Sequence, residues 1–172
     1  TGGANWEGSA IDPETGMLYI PSRTTISVLS VEKDEDSDVA FSQSYGVRVP
    51  RVNGLPIVKP PYGRITAIDM NSGDHAWMIA NADTPERIAN NPALAGIDLP
   101  RTGIETKSGI LLTKTLLFAG EGVGGGPTLR AHDKMTGEII AEIELPNAQT
   151  GVPMTYEHNG KQYLVMVVSG GG

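Results

Sequence analysis

Asn5 and Trp6 close the run Gly2-Gly3-Ala4-Asn5-Trp6, which sets an amide that can both donate and accept hydrogen bonds beside an indole. That pairing suits a polar contact to a ligand, and it equally describes a Gly-rich turn leading to a buried Trp. Lys59, in VKPPYGR at 58–64, offers a mobile point charge to an anionic group, or is a solvated loop residue. The run GEGVGGGP at 120–127 lacks the Lys-Ser/Thr of a phosphate loop and precedes a strand, so it reads as a flexible connection. The acidic run EKDEDSD at 32–38 lacks the central Gly and the distant bidentate Glu of a calcium-binding EF-hand loop and reads as solvated. His75, His132 and His158 share no metal-ligand spacing. No catalytic residue and no metal ligand is assigned.

These residues need a scaffold, and composition narrows it. With 172 residues, 39% hydrophobic and 19% charged, the chain can bury one core of ordinary size. Its 22 glycines and 12 prolines favour many short strands joined by turns, an all-β class. No apolar run approaches the roughly 20 residues needed to cross a bilayer. A net charge of −7 argues against a nucleic-acid backbone as partner. The absence of cysteine removes disulfides, thiolate metal sites and cysteine nucleophiles, and suits either redox compartment.

Order within the chain comes from a repeat. The pattern A-x-D-x-x-[ST]-G occurs at 10–16, 67–73 and 131–137. Its Asp and Ser or Thr can bond nearby backbone N–H groups, while its Gly supplies the positive φ of a tight turn, so each copy is a strand–turn–strand corner. One four-stranded blade then uses residues 6–11, 17–21, 64–69 and 75–79, and a second uses 109–113, 115–120, 128–133 and 138–145. A last hairpin pairs 152–157 with 162–168 across Asn159-Gly160. Thr84-Pro85 reads as the N-cap and first position of one short helix. The expected organisation is a blade at 1–81 with an insertion at 22–63, a linker with the helix at 82–105, a blade at 106–146 and a half blade at 147–172.

GGANW at 2–6, with GLPIVKPPYGRITAIDMNSG at 54–73, resembles the quinoprotein dehydrogenases, β-propeller enzymes that use pyrroloquinoline quinone (PQQ). With PMTYEHNGKQY at 153–163, the pattern is most similar to the membrane glucose dehydrogenase branch. The resemblance implies a partial β-propeller, about two and a half blades of a family eight-bladed ring. It makes Asn5 a cofactor contact, Trp6 a second and Lys59 a third candidate. Trp77, four residues after Gly73, matches the family's Trp-docking position, where an indole packs between blades; Ala141 and Ile20 occupy the equivalent places, so that motif is degenerate.

The family oxidises alcohols or sugars by hydride transfer to the quinone, with an Asp base and a bound calcium. Those residues lie upstream of GGANW in the family, so the resemblance implies a C-terminal portion of a periplasmic enzyme that is inactive alone and lacks calcium ligands of its own. Missing upstream blades are then its partners, and truncated blade edges favour self-association. The alternative is a non-catalytic propeller that binds proteins, with Asn5-Trp6 merely structural.

Overall fold

The computed structural model describes residues 2–4, 7–44 and 47–169. It is almost wholly β. The first four-stranded sheet is built from β1 (Ala10–Asp12), β2 (Met17–Arg23), β7 (Gly63–Asp69) and β8 (His75–Ala80), in that spatial order and antiparallel throughout. Between β2 and β7 the insertion carries two small hairpins, β3 (Ser30–Lys33) with β4 (Phe41–Ser44) and β5 (Arg51–Val52) with β6 (Leu55–Pro56). The second sheet runs β12-β11-β10-β9, from β9 (Ile110–Leu112), β10 (Leu116–Gly120), β11 (Thr128–Asp133) and β12 (Ile139–Glu144). A separate hairpin joins β13 (Met154–His158) to β14 (Lys161–Val165). This is an open, partial propeller of two blades and a hairpin.

The repeat forms the turns expected of it. In all three copies the Gly N–H closes on the Asp carbonyl, Gly16 on Asp12 at 2.8 Å, Gly73 on Asp69 at 2.7 Å and Gly137 on Asp133 at 2.8 Å. Each glycine lies at positive φ, between 75° and 83°. Each Asp carboxylate also accepts a backbone N–H two residues on: Glu14 at 3.1 Å, Asn71 at 2.8 Å and Met135 at 2.7 Å. The Asn159-Gly160 turn has φ of 51° and 70°, which matches the twist of its strands and lets Tyr156 stack on Tyr163 with ring centres 5.1 Å apart.

The helical segment departs from expectation. Helix α1 is only Glu86–Ala89, its N-cap is Pro85, and no side chain caps it. Thr84 is not the cap: its Oγ1 accepts the Thr102 N–H at 3.1 Å, so the hydroxyl stitches the two ends of the linker together. A single 3-10 turn follows at Pro92–Leu94, capped by the Asn91 carboxamide.

The core lies between the blades. Met17, Tyr19, Ile65 and Ala67 of the first sheet pack with Ile110, Leu117 and Ala119 of the second, and Tyr19, Ile65 and Leu117 are completely buried. Trp77 on β8 crosses this seam. Its Nε1 donates to the Lys134 carbonyl at 3.2 Å, its ring lies 5.7 Å from that of Tyr19, and a Cβ on Gly137 would come within 3.0 Å of it. The family's docking position is thus used here, and Gly137 serves both a positive φ and the approach of the indole.

A buried ion pair crosses the same seam: Lys134 Nζ reaches Asp12 Oδ2 at 2.5 Å. That hydrogen bond, helped by one from the Thr15 hydroxyl, holds the Asp12 carboxyl at about 2, below its usual 3.8. A carboxyl depressed on folding stabilises the fold above its unfolded value and loses that contribution as pH falls through its folded value. Stability is therefore expected to fall as pH drops from about 4 toward about 2. Asp12→Asn should flatten that part of a stability–pH curve measured by chemical denaturation. An unchanged acid limb would show that the ion pair is not what titrates.

Candidate cofactor site

The three repeat turns lie together at one end of the sheets. The opposite end is built from the segment before β1, the β2–β7 insertion, the linker after β8, the β10–β11 loop and the connection to β13.

Residues 2–4 are held by the end of β2. Gly2 N donates to Thr25 O at 2.7 Å, Gly3 N donates to Arg23 O at 2.7 Å, and Arg23 N returns a bond to Gly3 O at 3.3 Å. A Cβ on Gly2 would sit 2.4 Å from Arg23 O and Thr25 N, so the backbones can approach only through glycine. Asn5 and Trp6 lie outside the described residues. Their neighbours do not: Gly3 lines a small polar cleft, and Glu7 lines both that cleft and an adjoining cavity of about 350 Å³.

Arg23, Lys107, Gly109, Val123, Gln149 and Val152 complete much of the larger cavity. Lys107 Nζ lies 3.9 Å from Glu7 Oε1, a largely buried oxygen with no hydrogen-bond partner among the described residues. Gln149, itself buried, ties the cavity floor: Oε1 accepts Gly120 N at 2.9 Å while Nε2 donates to Gly109 O at 2.8 Å and Gly151 O at 2.6 Å. One side chain thus links the second blade to the connection leading into the last hairpin.

The glycine run at 120–127 is pinned, unlike the flexible connection expected. Thr106 Oγ1 bonds the Glu121 carbonyl, Lys107 and Val123 form an isolated bridge, and a Cβ on Gly122 would fall 1.9 Å from Lys107 O. Beneath it, the Glu121 carboxylate accepts the Gly126 N–H at 2.7 Å and pairs with Arg130 at 2.6 Å. Arg130 also binds Glu142 at 2.7 Å and Asp83 at 3.1 Å, and Asp83 in turn holds Arg101 at 2.9 Å. Burial works to lower the Arg130 pKa, but the hydrogen bonds it donates to Glu121 and Glu142 outweigh it and leave the guanidinium more firmly charged than usual. Hydrogen bonding to Arg130 lowers the pKa of Glu142 in the same way. His132, buried beside this network with Nδ1 2.9 Å from Gly137 O, has its pKa lowered by burial.

Lys59 lies elsewhere. It is exposed and lines a separate open recess of about 500 Å³ with Ala4, Ile20, Arg64 and His75; Gly3 borders this recess and the polar cleft alike. The Pro60-Pro61 bond beside Lys59 is cis. Tyr62 and Arg64 gain structural roles: Tyr62 N donates to Thr102 O at 2.7 Å, and Arg64 Nη1 bonds Thr24 Oγ1 and, at 3.4 Å, Pro61 O. Sequence reasoning passed over Arg23, Lys107 and Glu7. Their signal was positional, since Arg23 ends an inner-hairpin strand, and Glu7 and Lys107 each lie three residues before the first residue of an innermost strand. Among the described residues no group of three or more His, Asp or Glu side chains forms a metal site.

Comparison with known proteins follows the same lines. A family model described as "Glucose/ethanol/alcohol dehydrogenase, beta-propeller domain" matches residues 1–164. The glycerol dehydrogenase large subunit of Gluconobacter thailandicus is 29% identical over 98% of this chain and 26% of its own. A probable quinate dehydrogenase (quinone) of Xanthomonas campestris pv. juglandis is 34% identical over 99% of this chain and 24% of its own. The crystal structure of quinohemoprotein alcohol dehydrogenase from Comamonas testosteroni shares the fold, with a TM-score of 0.63 at 20% identity over 96% of this chain and 22% of that one. The chain therefore spans about a quarter of the length of the curated relatives it matches. With the blade repeat, the docked Trp77 and the family match over residues 1–164, the chain belongs to the PQQ-dependent quinoprotein dehydrogenases.

Proposed function

We propose that this chain forms part of the cofactor wall of a periplasmic PQQ-dependent dehydrogenase that oxidises a sugar, an alcohol or a polyol, and that its 172 residues are inactive without the remaining blades. The carrying observation is the cavity at the open end, opposite the repeat turns: Glu7 lines it directly after Asn5-Trp6, Gly3 lines the cleft that adjoins it, and Arg23 and Lys107 bring positive charge to both. PQQ carries carboxylates, so Arg23 and Lys107 supply donors of the right charge, and the Glu7 oxygen, which has no hydrogen bond among the described residues, supplies an acceptor for an N–H or O–H. When bound, the quinone accepts the hydride of the alcohol carbon.

The residues of this chain bind and orient. Asn5 makes a polar contact to the quinone, Trp6 packs beside it, and the pinned 120–127 loop and Gln149 keep the cavity walls fixed so that little is lost to ordering on binding. Lys59 contributes from the adjoining recess as a longer-range positive charge. The catalytic base and the calcium ligands belong to blades outside this chain. The relatives named for glycerol and quinate support a hydroxylated small molecule as substrate.

Titration of PQQ with calcium into the full-length protein carrying this chain, followed by quinone absorbance, tests the reading. Saturable binding is expected, with Asn5→Ala weakening it at least 10-fold, about 1.4 kcal/mol or more. A folded protein that takes up no PQQ would instead indicate a non-catalytic propeller.

A further inference from the structure

We propose that Arg23 is the carboxylate-binding residue of the open-end cavity, an inference that rests on the cavity being the ligand site proposed above. Arg23 ends β2, and its backbone is locked to Gly3 in both directions. Its guanidinium is half-buried, lines both the polar cleft and the larger cavity, and has no hydrogen bond or ion pair among the described residues.

That isolation sets it apart. Arg130 is saturated by three carboxylates, Arg101 holds Asp83, Arg64 bonds Thr24 and Pro61, and Arg48 and Arg87 are exposed to solvent. The carboxylate of the cavity itself, Glu7, faces Lys107. The charge of Arg23 is thus left uncompensated in a partly desolvated place, which is unfavourable unless an anion completes it. The planar fork of a guanidinium suits two parallel hydrogen bonds to one carboxylate. Around it, Val123 and Val152 give apolar walls and Thr150 a hydroxyl, in a space of about 350 Å³ that accommodates a small organic acid. The carboxylate comes from PQQ or from a hydroxy-acid substrate, and the two sources can be separated.

The experiment uses the full-length protein with Arg23→Gln and Arg23→Lys. In one arm apo protein is titrated with PQQ, and in the other PQQ-loaded protein is titrated calorimetrically with gluconate. At least a 10-fold loss of affinity in Arg23→Gln, with Arg23→Lys intermediate, is expected in one arm: the first identifies the cofactor as the source, the second the substrate. Affinities within twofold of wild type in both arms overturn the proposal.

Should Arg23→Gln fail to fold, modification of wild-type Arg23 by an arginine-directed dicarbonyl, read by peptide mass, replaces it. Protection by PQQ or gluconate is expected, and equal modification with and without both ligands overturns the proposal. Wild type that binds no PQQ would refute the cofactor reading, whereas wild type that binds PQQ with Arg23 indifferent in every arm would refute only this inference.

Discussion

Replacing Arg130 with Met is expected to destabilise the protein by about 3 kcal/mol or more, because removal of one partner leaves a buried charge uncompensated. The uncompensated group is Glu121, whose side chain is only 5% exposed and would keep, among the described residues, only the Gly126 N–H as a hydrogen-bond partner. Glu142 and Asp83 are 49% and 63% exposed and can turn to water, so they add little to the loss. A single-site contrast sharpens this: Glu142→Gln should cost no more than about 1 kcal/mol. Urea unfolding midpoints of the two variants give the answer. A loss for Arg130→Met as small as that for Glu142→Gln would mean that the buried pair contributes no more than a surface one. Because Glu121 also anchors the 120–127 loop, faster amide exchange at Gly126 should accompany the loss in stability.

Trp77→Ala is expected to cost about 3 kcal/mol, toward the lower end for a large aromatic because the indole is only partly buried. The substitution removes the contact to Tyr19 within the first blade, together with the bond to the Lys134 carbonyl and the surface resting on Gly137, which connect the two blades. Trp77→Phe keeps the aromatic body and loses the N–H, so it should retain more than half of that stability. Thermal unfolding distinguishes them, and equal melting temperatures for wild type and Trp77→Ala would remove the indole from the account of how the blades adhere.

Much of the architecture was legible because its signals are local. Asp12, Asp69 and Asp133 each fold back on a backbone N–H two residues away, so a seven-residue pattern predicts three turns and the strands on either side of them. The Asn159-Gly160 hairpin is local in the same sense. Thr84 shows the limit of such reading: a Thr-Pro pair has the chemistry of a helix start, yet a backbone donor 18 residues on, Thr102, competes for the hydroxyl and wins.

The site was harder to read, since its groups are brought together by chain crossing. The partners of Arg130 are 9, 12 and 47 residues distant and follow no period. Lys107 meets Glu7 across 100 residues of chain, and nothing around either residue announces the other. Asn5 and Trp6 are proposed from family resemblance alone, because an Asn beside a Trp is by itself a common core feature, and both lie outside the described residues. Arg23 was invisible for a different reason: its distinction is a guanidinium without a partner among the described residues, a property that only a folded neighbourhood can give.

The turn closing β11 onto β12 has implications for how such a chain can diversify. Residues 134–137 are gripped from the adjoining blade by the Asp12 carboxylate and the Trp77 ring, with no slack on either side. Extra residues grafted there would wedge the blades apart, whereas the opposite rim already carries a 39-residue excursion, 24–62, without disturbing the pairing of β2 with β7. New specificity, in evolution or by engineering, is therefore channelled to one rim of the wheel, while the other behaves as a hub whose dimensions are frozen.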